Sequence, residues 1–129
     1  MIRINFSEIK RDIVYIFYAE KGNDKIPFYI GESSRGIGRF GDYISAKFSA
    51  STDFKIGNVS RLIENNGYTI IIEYDYSNNR KKREKELIQE YKSKLDNKLI
   101  NGKFGYNYKI DDEKDLLKRM KEFVNQNFK

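Results

Sequence analysis

The chain has 129 residues, a formal net charge of +6 from 25 basic and 19 acidic side chains, and neither histidine nor cysteine. These absences exclude disulfides, thiolate nucleophiles, cysteine zinc sites and imidazole chemistry, so any metal ion has to be a hard cation bound by oxygen. The length suits one domain over residues 1–129, and 15% aromatic residues supply apolar area for its core.

The N-terminal sequence MIRINFSEIKRD is charged within a few residues and lacks the apolar segment of a signal peptide. No apolar stretch approaches the length of a membrane span. We therefore expect a cytoplasmic protein that does not bind membranes. The excess of positive charge is consistent with a polyanionic partner such as a nucleic acid.

The pattern of apolar residues predicts three strands. Residues 12–18 form a β-branched and aromatic run that is apolar on both faces, as expected of a central strand. A polar segment with a Gly-Asn turn signal leads to a second strand over residues 26–31, which predicts an antiparallel hairpin. Residues 68–76 alternate between the two faces of a third strand.

Helical spacing of apolar residues predicts four helices, over residues 37–48, 58–65, 80–95 and 111–128. Residues 49–55 are predicted to form a loop, and the Asn/Gly-rich residues 101–108 a turn region. Three strands flanked by helices give an α+β domain with a small antiparallel sheet. The last helix is expected to pack on this core, with an interface to another chain as the alternative. Its apolar face carries Leu116, Leu117, Met120, Phe123 and Val124.

One acidic side chain of the predicted helix 80–95 faces inward. The buried stripe of this helix consists of Leu87, Ile88, Tyr91 and Leu95. At 100° per residue, Glu84 points into that stripe. A carboxylate on the inner face of a helix is costly unless it is paired or binds a cation. Glu84 is therefore a candidate metal ligand, and an ion pair with Arg80 or Lys81 is the alternative.

Short motifs in the hairpin and the following helix resemble those of the GIY-YIG nucleases. The segments VYIF and FYIGESSRGIGRFGDY place a tyrosine on each hairpin strand and an arginine on the next helix. Tyr15 matches the tyrosine of the first motif, whose glycine is missing here, and Tyr29-Ile30-Gly31 matches the second motif in full. Arg39 lies at the family's usual distance after that glycine. Tyr43, one turn later, stands where the family commonly has His or Tyr.

The resemblance continues to residue 108. Glu84 matches the family's catalytic glutamate, a match that is independent of its position on the helical wheel. Gly105-Tyr106-Asn107 resembles the asparagine motif that closes the family's active domain. Relatives often carry a lysine shortly after the YIG glycine, where this chain has Glu32, and Arg35 is the expected substitute.

The resemblance implies a metal-dependent DNA endonuclease that hydrolyses phosphodiester bonds, with one Mg²⁺ or Mn²⁺ ion. Tyr29, or Tyr15 beside it, would activate water as the general base. The hypothesis assigns six residues: Tyr29 as base, Tyr15 as its partner and phosphate ligand, Arg39 as electrostatic clamp, Tyr43 as hydrogen-bonding support, Glu84 as metal ligand and Asn107 as orienting amide.

Basic residues beside Glu84 are candidate DNA contacts. They are Arg80, Lys81, Lys82, Arg83 and Lys85. The alternative for this cluster is an ordinary solvated helix start. Sequence-specific cutting by so small a domain is expected to require a homodimer or a protein partner.

Two other functions remain open for the chain as a whole. One is a nucleic-acid- or partner-binding module on the same fold that does not cleave, which Glu32 favours. The other is a nuclease built on Glu73 and Asp75 of the third strand, although the lysine usual in such sites is missing two residues after the acid.

Overall fold

The computed structural model describes residues 1–94 and 97–129. In these residues a three-stranded antiparallel sheet, in the order β2-β1-β3, is surrounded by five α-helices. The elements in chain order are α1 (Phe6–Ile9), β1 (Ile13–Lys21), β2 (Asp24–Ser33), α2 (Phe40–Ser45), α3 (Ser51–Asn65), β3 (Thr69–Tyr76), α4 (Arg80–Lys92) and α5 (Glu113–Asn127). A 3₁₀ helix, Gly36–Arg39, leads directly into α2. The predicted α+β architecture is confirmed.

Both faces of the sheet are covered, which explains why β1 is apolar on both sides. On one face α2, α3 and α5 build the larger core against alternate residues of β1, among them Tyr15 and Phe17. On the other face α4 packs its buried Leu87 against Val14 and Ile30. Because side chains alternate along a strand, the two faces carry different parts of the candidate site.

The C-terminal helix packs on the domain's own core, as predicted. Leu116, Met120 and Val124 are completely buried. Leu117 and Phe123 are half-buried against the same core. The start of α5 is capped by Asp112, whose side chain accepts a hydrogen bond from the Lys114 amide.

The prediction of a loop over residues 49–55 is wrong, because α3 begins at Ser51. This helix contacts α2, β3 and α5, and residues 54–57 are buried in succession. The one-sided periodicity that marks a surface helix is therefore lost at its start. The helix predicted over residues 37–48 ends earlier, at Ser45, because Ala46 adopts a left-handed conformation with φ of 47°.

Two further differences concern short or terminal segments. The single turn α1 buries none of its residues, and the sequence pattern did not predict it. Helix α4 ends at Lys92, and Leu95, assigned to its buried stripe, lies outside the described residues. Within the described part of the chain, no helix combines the length and the apolar character needed to cross a bilayer.

Candidate active site

Three tyrosine side chains converge on the face of the sheet that carries the larger core. Tyr15 comes from β1, Tyr29 from β2 and Tyr43 from α2, and their ring centroids lie 6.3 to 6.4 Å apart in all three pairs. The hydroxyls of Tyr15 and Tyr43 share a hydrogen bond in which either can be the donor. Tyr15 and Tyr43 are buried, whereas Tyr29 is half-buried. The structure therefore brings together the three tyrosines that the motifs had singled out.

Two glycines make room for these tyrosines. Gly31 stands opposite Tyr15 in the β1–β2 register, and the Tyr15 ring extends across it. A Cβ atom at Gly31 would lie 2.5 Å from Cζ and 2.6 Å from the hydroxyl oxygen of Tyr15. A Cβ atom at Gly57 of α3 would overlap the carbonyl oxygen of Tyr43. A larger residue at either position would displace one of the tyrosines.

Arg39 lies against Tyr43 and is held by two carboxylates. Its guanidinium carbon is 4.5 Å from the ring centroid of Tyr43. Nη1 donates to Asp42 Oδ2 at 2.8 Å and to Asp53 Oδ1 at 2.6 Å, and only 19% of the side chain is exposed. Burial alone would lower the pKa of Arg39, but Tyr43, Asp53 and Asp42 together raise it above its usual value. Arg39 is therefore a fixed, permanently charged donor.

The sequence hypothesis missed both carboxylates that hold Arg39. Asp42 lies three residues after Arg39, a spacing that places side chains on neighbouring parts of a helix and could have been noticed. Asp53 belongs to the first turn of α3, which was predicted to be a loop. Its contact with Arg39 is a tertiary one, and no local pattern indicates it.

Burial makes the three phenols poor acids. It raises the pKa values of Tyr15, Tyr29 and Tyr43 well above 10, the usual value for tyrosine, and a neighbouring phenol adds to each rise. Arg39 lowers each of these pKa values, but by less. At neutral pH the chain alone therefore holds three neutral phenols, and a further positive charge is needed before one of them becomes a base.

Glu84 lies on α4, which packs on the opposite face of the sheet, within electrostatic range of Tyr15 and Tyr29. It is half-buried, and its charge contributes to the raised pKa values of Tyr15 and Tyr29. Burial raises the pKa of Glu84 itself, and the carboxylate of Glu32 adds to that rise. Within residues 1–94 and 97–129, Glu84 takes part in no ion pair. The alternative pairing of Glu84 with Arg80 or Lys81 is not observed.

Arg80 joins the start of α4 to the hairpin. Its Nη1 atom donates to Asp12 Oδ2 at 2.8 Å. Its Nε atom lies 2.6 Å from Glu32 Oε2, as an ion pair that lacks the alignment of a hydrogen bond. Because its guanidinium faces two carboxylates of the same protein, Arg80 has a structural role. The contact of Arg80 with DNA stays a prediction.

A cleft of about 280 Å³ lies between the end of β2 and the start of α4. It is lined by Glu32, Ser33, Ser34, Arg35, Arg39, Arg80 and Lys81. Arg35 is exposed and forms an ion pair with Asp42. The three arginines of the cleft thus all face carboxylates, and Lys81 is the one cation of the cleft that forms no ion pair with a described residue. Much of the positive charge expected here is neutralised within the protein.

The rest of the basic cluster points to solvent. Lys82, Arg83 and Lys85 are exposed on α4, and Arg83 Nη1 lies 3.3 Å from Glu86 Oε2. Lys85 lowers the pKa of Glu84 slightly against the larger effect of burial. These side chains remain candidate contacts for the DNA backbone.

Asn101, and not Asn107, contacts strand β2, which carries Tyr29, Ile30 and Gly31. The Asn107 side chain is exposed and accepts a hydrogen bond from the Lys109 amide within its own turn. The Asn101 carboxamide accepts from the Ile30 amide at 3.0 Å and donates to the Ile30 carbonyl at 2.7 Å. Asn101 therefore fixes the strand position between Tyr29 and Gly31, whereas the Asn107 side chain bonds within its own turn and its role as an orienting amide stays a prediction.

The acidic pair on β3 is less suited to a metal site. Glu73 is exposed and forms an ion pair with Lys25 at 2.8 Å. Asp75 is exposed as well. In the described part of the chain, no group of three or more acidic side chains can enclose a metal ion. A cation at any of these carboxylates would take most of its ligands from water or substrate.

Comparisons with protein-family models, with curated proteins and with solved structures give no match. The link to the GIY-YIG nucleases therefore depends on the motif residues of this chain and on their arrangement.

Proposed function

We propose that the chain is a metal-dependent DNA endonuclease of the GIY-YIG type that hydrolyses phosphodiester bonds. The observation that supports this most strongly is the convergence of Tyr15, Tyr29 and Tyr43 with Arg39, within electrostatic range of the half-buried Glu84. These residues come from five separate elements, and burying so many polar groups together is costly unless they have a common role.

The donor set suits one hard divalent cation at Glu84. Mg²⁺ usually binds one or two protein carboxylates and keeps several waters, which substrate phosphate can replace. Glu84 offers a half-buried carboxylate without an ion pair among the described residues, and Glu32 lies close enough to raise its pKa. Bound there, Mg²⁺ or Mn²⁺ would supply positive charge for the phosphate and for the departing 3′ oxygen.

The protein's own side chains would handle the water and the phosphate. Once Tyr29 has lost its own proton to solvent, water would attack phosphorus and pass a proton to the Tyr29 phenolate, and the P–O3′ bond would break to leave a 5′ phosphate and, after protonation, a 3′ hydroxyl. Tyr29 is assigned as the base because it is half-buried, whereas Tyr15 and Tyr43 are buried. The hydrogen bond between Tyr15 and Tyr43 fixes both rings beside it.

Arg39 would hold the phosphate. Asp42 and Asp53 both accept hydrogen bonds from its Nη1 atom. The N–H groups on the other guanidinium nitrogens are left for a phosphate. Those two carboxylates fix its orientation, so little entropy is lost when it donates to a phosphate oxygen. Arg39 is thus a preorganised donor for the charge that builds on phosphate in the transition state.

A nicking assay with matched variants tests this function. Supercoiled plasmid is incubated with Mg²⁺ or Mn²⁺ and with wild type, Glu84→Gln or Glu86→Gln, the last being an exposed glutamate on the same helix. Wild type and Glu86→Gln are expected to nick the plasmid, and Glu84→Gln is expected to lose activity by about 100-fold or more. Equal rates for Glu84→Gln and wild type would refute the metal assignment.

A DNA-binding module that does not cleave is the second candidate function. It is favoured by Glu32, which stands where relatives often carry a lysine and occupies Arg80 in an ion pair. The raised pKa of Tyr29 also favours it, because a neutral phenol does not activate water. Under this alternative, wild type binds DNA and leaves the plasmid intact with either metal.

A further inference from the structure

Two tyrosines of β3 share a sheet face with the candidate active site but lie outside the core. Tyr74 stands opposite Tyr15, and Tyr76 opposite Ile13, in the β1–β3 register. Residues directly opposite each other in an antiparallel pair point to the same face. The earlier residues of β3 on this face pack against the larger core. Tyr74 and Tyr76, by contrast, are 43% and 38% exposed.

These exposed rings are continuous with the buried phenols. The Phe40 ring lies 5.0 Å from that of Tyr15 and 6.3 Å from that of Tyr74. The rings of Tyr74 and Tyr76 lie 5.9 Å apart. The guanidinium carbon of Arg11 is 3.6 Å from the ring centroid of Tyr76. Arg11, Tyr74 and Tyr76 together are called the aromatic shelf.

The chemistry of the aromatic shelf matches that of an unpaired nucleotide. Proteins bind single-stranded nucleic acid by stacking bases on aromatic rings and arginine planes, with cations along the backbone. The two acidic residues of the outer half of β3, Glu73 and Asp75, alternate with the tyrosines and point to the opposite face. The tyrosine face of the strand thus presents rings and a guanidinium without those carboxylates.

We propose that the aromatic shelf stacks an unpaired base beside the cleaved phosphate, so that the preferred substrate is DNA with a single-stranded nucleotide next to the scissile bond. The inference rests on the proposed function. Neighbouring strands lie about 4.8 Å apart. Tyr74 is therefore one strand away from Tyr15. The Tyr15 ring is buried, but the Phe40 ring joins it to Tyr74, so the aromatic shelf begins within two ring contacts of the candidate active site.

Binding of fluorescent oligonucleotides in EDTA tests the aromatic shelf without requiring cleavage. The double variant Tyr74→Leu, Tyr76→Leu removes both rings and keeps large side chains on the strand. Its affinity for a single-stranded oligonucleotide is expected to fall about 5- to 150-fold for each stacked base. The double variant Tyr74→Phe, Tyr76→Phe keeps both rings and is expected to bind like wild type, which separates stacking from misfolding.

Tyr108→Leu is the matched control. Tyr108 is 48% exposed and has Lys109 Nζ 5.9 Å from its ring centroid, so it is also an exposed tyrosine beside a cation. It lies outside the sheet, and its substitution is expected to leave binding unchanged. A second readout is 2-aminopurine placed in the oligonucleotide, whose fluorescence falls when it stacks on a ring.

The outcomes separate this inference from the proposed function. If wild type nicks plasmid while the double leucine variant binds single strands as tightly as wild type, the aromatic shelf is refuted and the endonuclease proposal stands. If the double leucine variant loses single-strand binding while wild type nicks nothing, base stacking on the aromatic shelf stands, but the endonuclease proposal and the placement of that base beside a scissile bond are both refuted. If the double leucine variant loses affinity for a single strand and for a blunt duplex by the same factor, the preference for an unpaired base is refuted.

Discussion

The substitution Gly31→Ala tests whether the YIG glycine is required by the ring of Tyr15. The added Cβ atom would lie 2.5 Å from Tyr15 Cζ, whereas ordinary contacts begin at 3.4 Å. The ring therefore has to retreat by about 0.9 Å, the difference between these two distances. Tyr15 is buried among other aromatic rings, so the shift disturbs its hydrogen bond with Tyr43.

The expected cost follows from three contributions. Overpacking a buried site costs about 1–3 kcal/mol. Losing the hydrogen bond between Tyr15 and Tyr43 costs about 0.5–1.5 kcal/mol. Replacing glycine by alanine recovers about 0.4–1 kcal/mol, because the unfolded chain has less freedom. The free energy of unfolding should fall by about 0.5–4 kcal/mol, and Tm by about 2–20 °C for a domain of this size.

Thermal unfolding and plasmid nicking should both report the change. Gly41→Ala is the control, because Gly41 lies in α2 with open space around its Cβ position. Alanine there is expected to stabilise the helix by about 0.5–1 kcal/mol and to leave nicking unchanged. Gly31→Ala is expected to lose both stability and activity. The reasoning is refuted if the two variants melt at the same temperature and nick equally fast.

Three further predictions concern the groups around the tyrosines. Without metal, Glu84→Gln should raise Tm at neutral pH, because the raised pKa of Glu84 means that its ionised form destabilises the folded state. Mg²⁺ should raise the Tm of wild type alone, and an equal rise in both proteins would contradict this. The nicking rate should increase from neutral to alkaline pH, because the pKa of Tyr29 lies above neutrality, and a profile that is flat above pH ~7 would argue against a tyrosine base. In acid, the rate should fall at a higher pH than an ordinary glutamate would produce, because the pKa of Glu84 is raised. In urea unfolding, Asn101→Ala should lower the free energy of unfolding by about 1–3 kcal/mol, because it leaves the amide and carbonyl of Ile30 without their partner. Asn107→Ala at the surface should lower it by less than about 0.5 kcal/mol, and the reverse order would contradict this account.

Much of the fold could be predicted from periodicity. The strand β1 is apolar on both faces because helices cover both, whereas β3, at the edge of the sheet, is partly buried over residues 70–72 and exposed over 73–76. Helix α5 was predicted nearly to the residue because an acidic start and one apolar face mark it clearly. Residues 51–57 of α3 were missed because Ser51 and Thr52 resemble a loop, and the buried run after them has no polar face.

Part of the candidate site could likewise be predicted from the sequence, and part could not. The motifs and the helical wheel identified Tyr15, Tyr29, Arg39 and Glu84, because each carries its signal in the local sequence. Ion pairs across elements, such as that between Arg39 and Asp53, depend on how the helices pack and have no local signal.

The asparagine of the site illustrates the same limit. Asn101 and Asn107 both lie in the Asn/Gly-rich segment before α5, and composition does not distinguish them. Only the folded chain shows that Asn101 pairs with the backbone of β2.

The central claim is that a divalent cation binds Glu84 opposite the tyrosines. A crystal of the protein soaked in Mn²⁺ and measured at the manganese edge tests it most directly, because the anomalous signal locates the ion without reference to activity. We expect a peak at metal–ligand distance from the Glu84 carboxylate, on the side that faces Tyr29 and Arg39. A peak at Glu73 and Asp75 with none at Glu84, or Glu84 paired with Lys81 in the soaked crystal, would contradict the account.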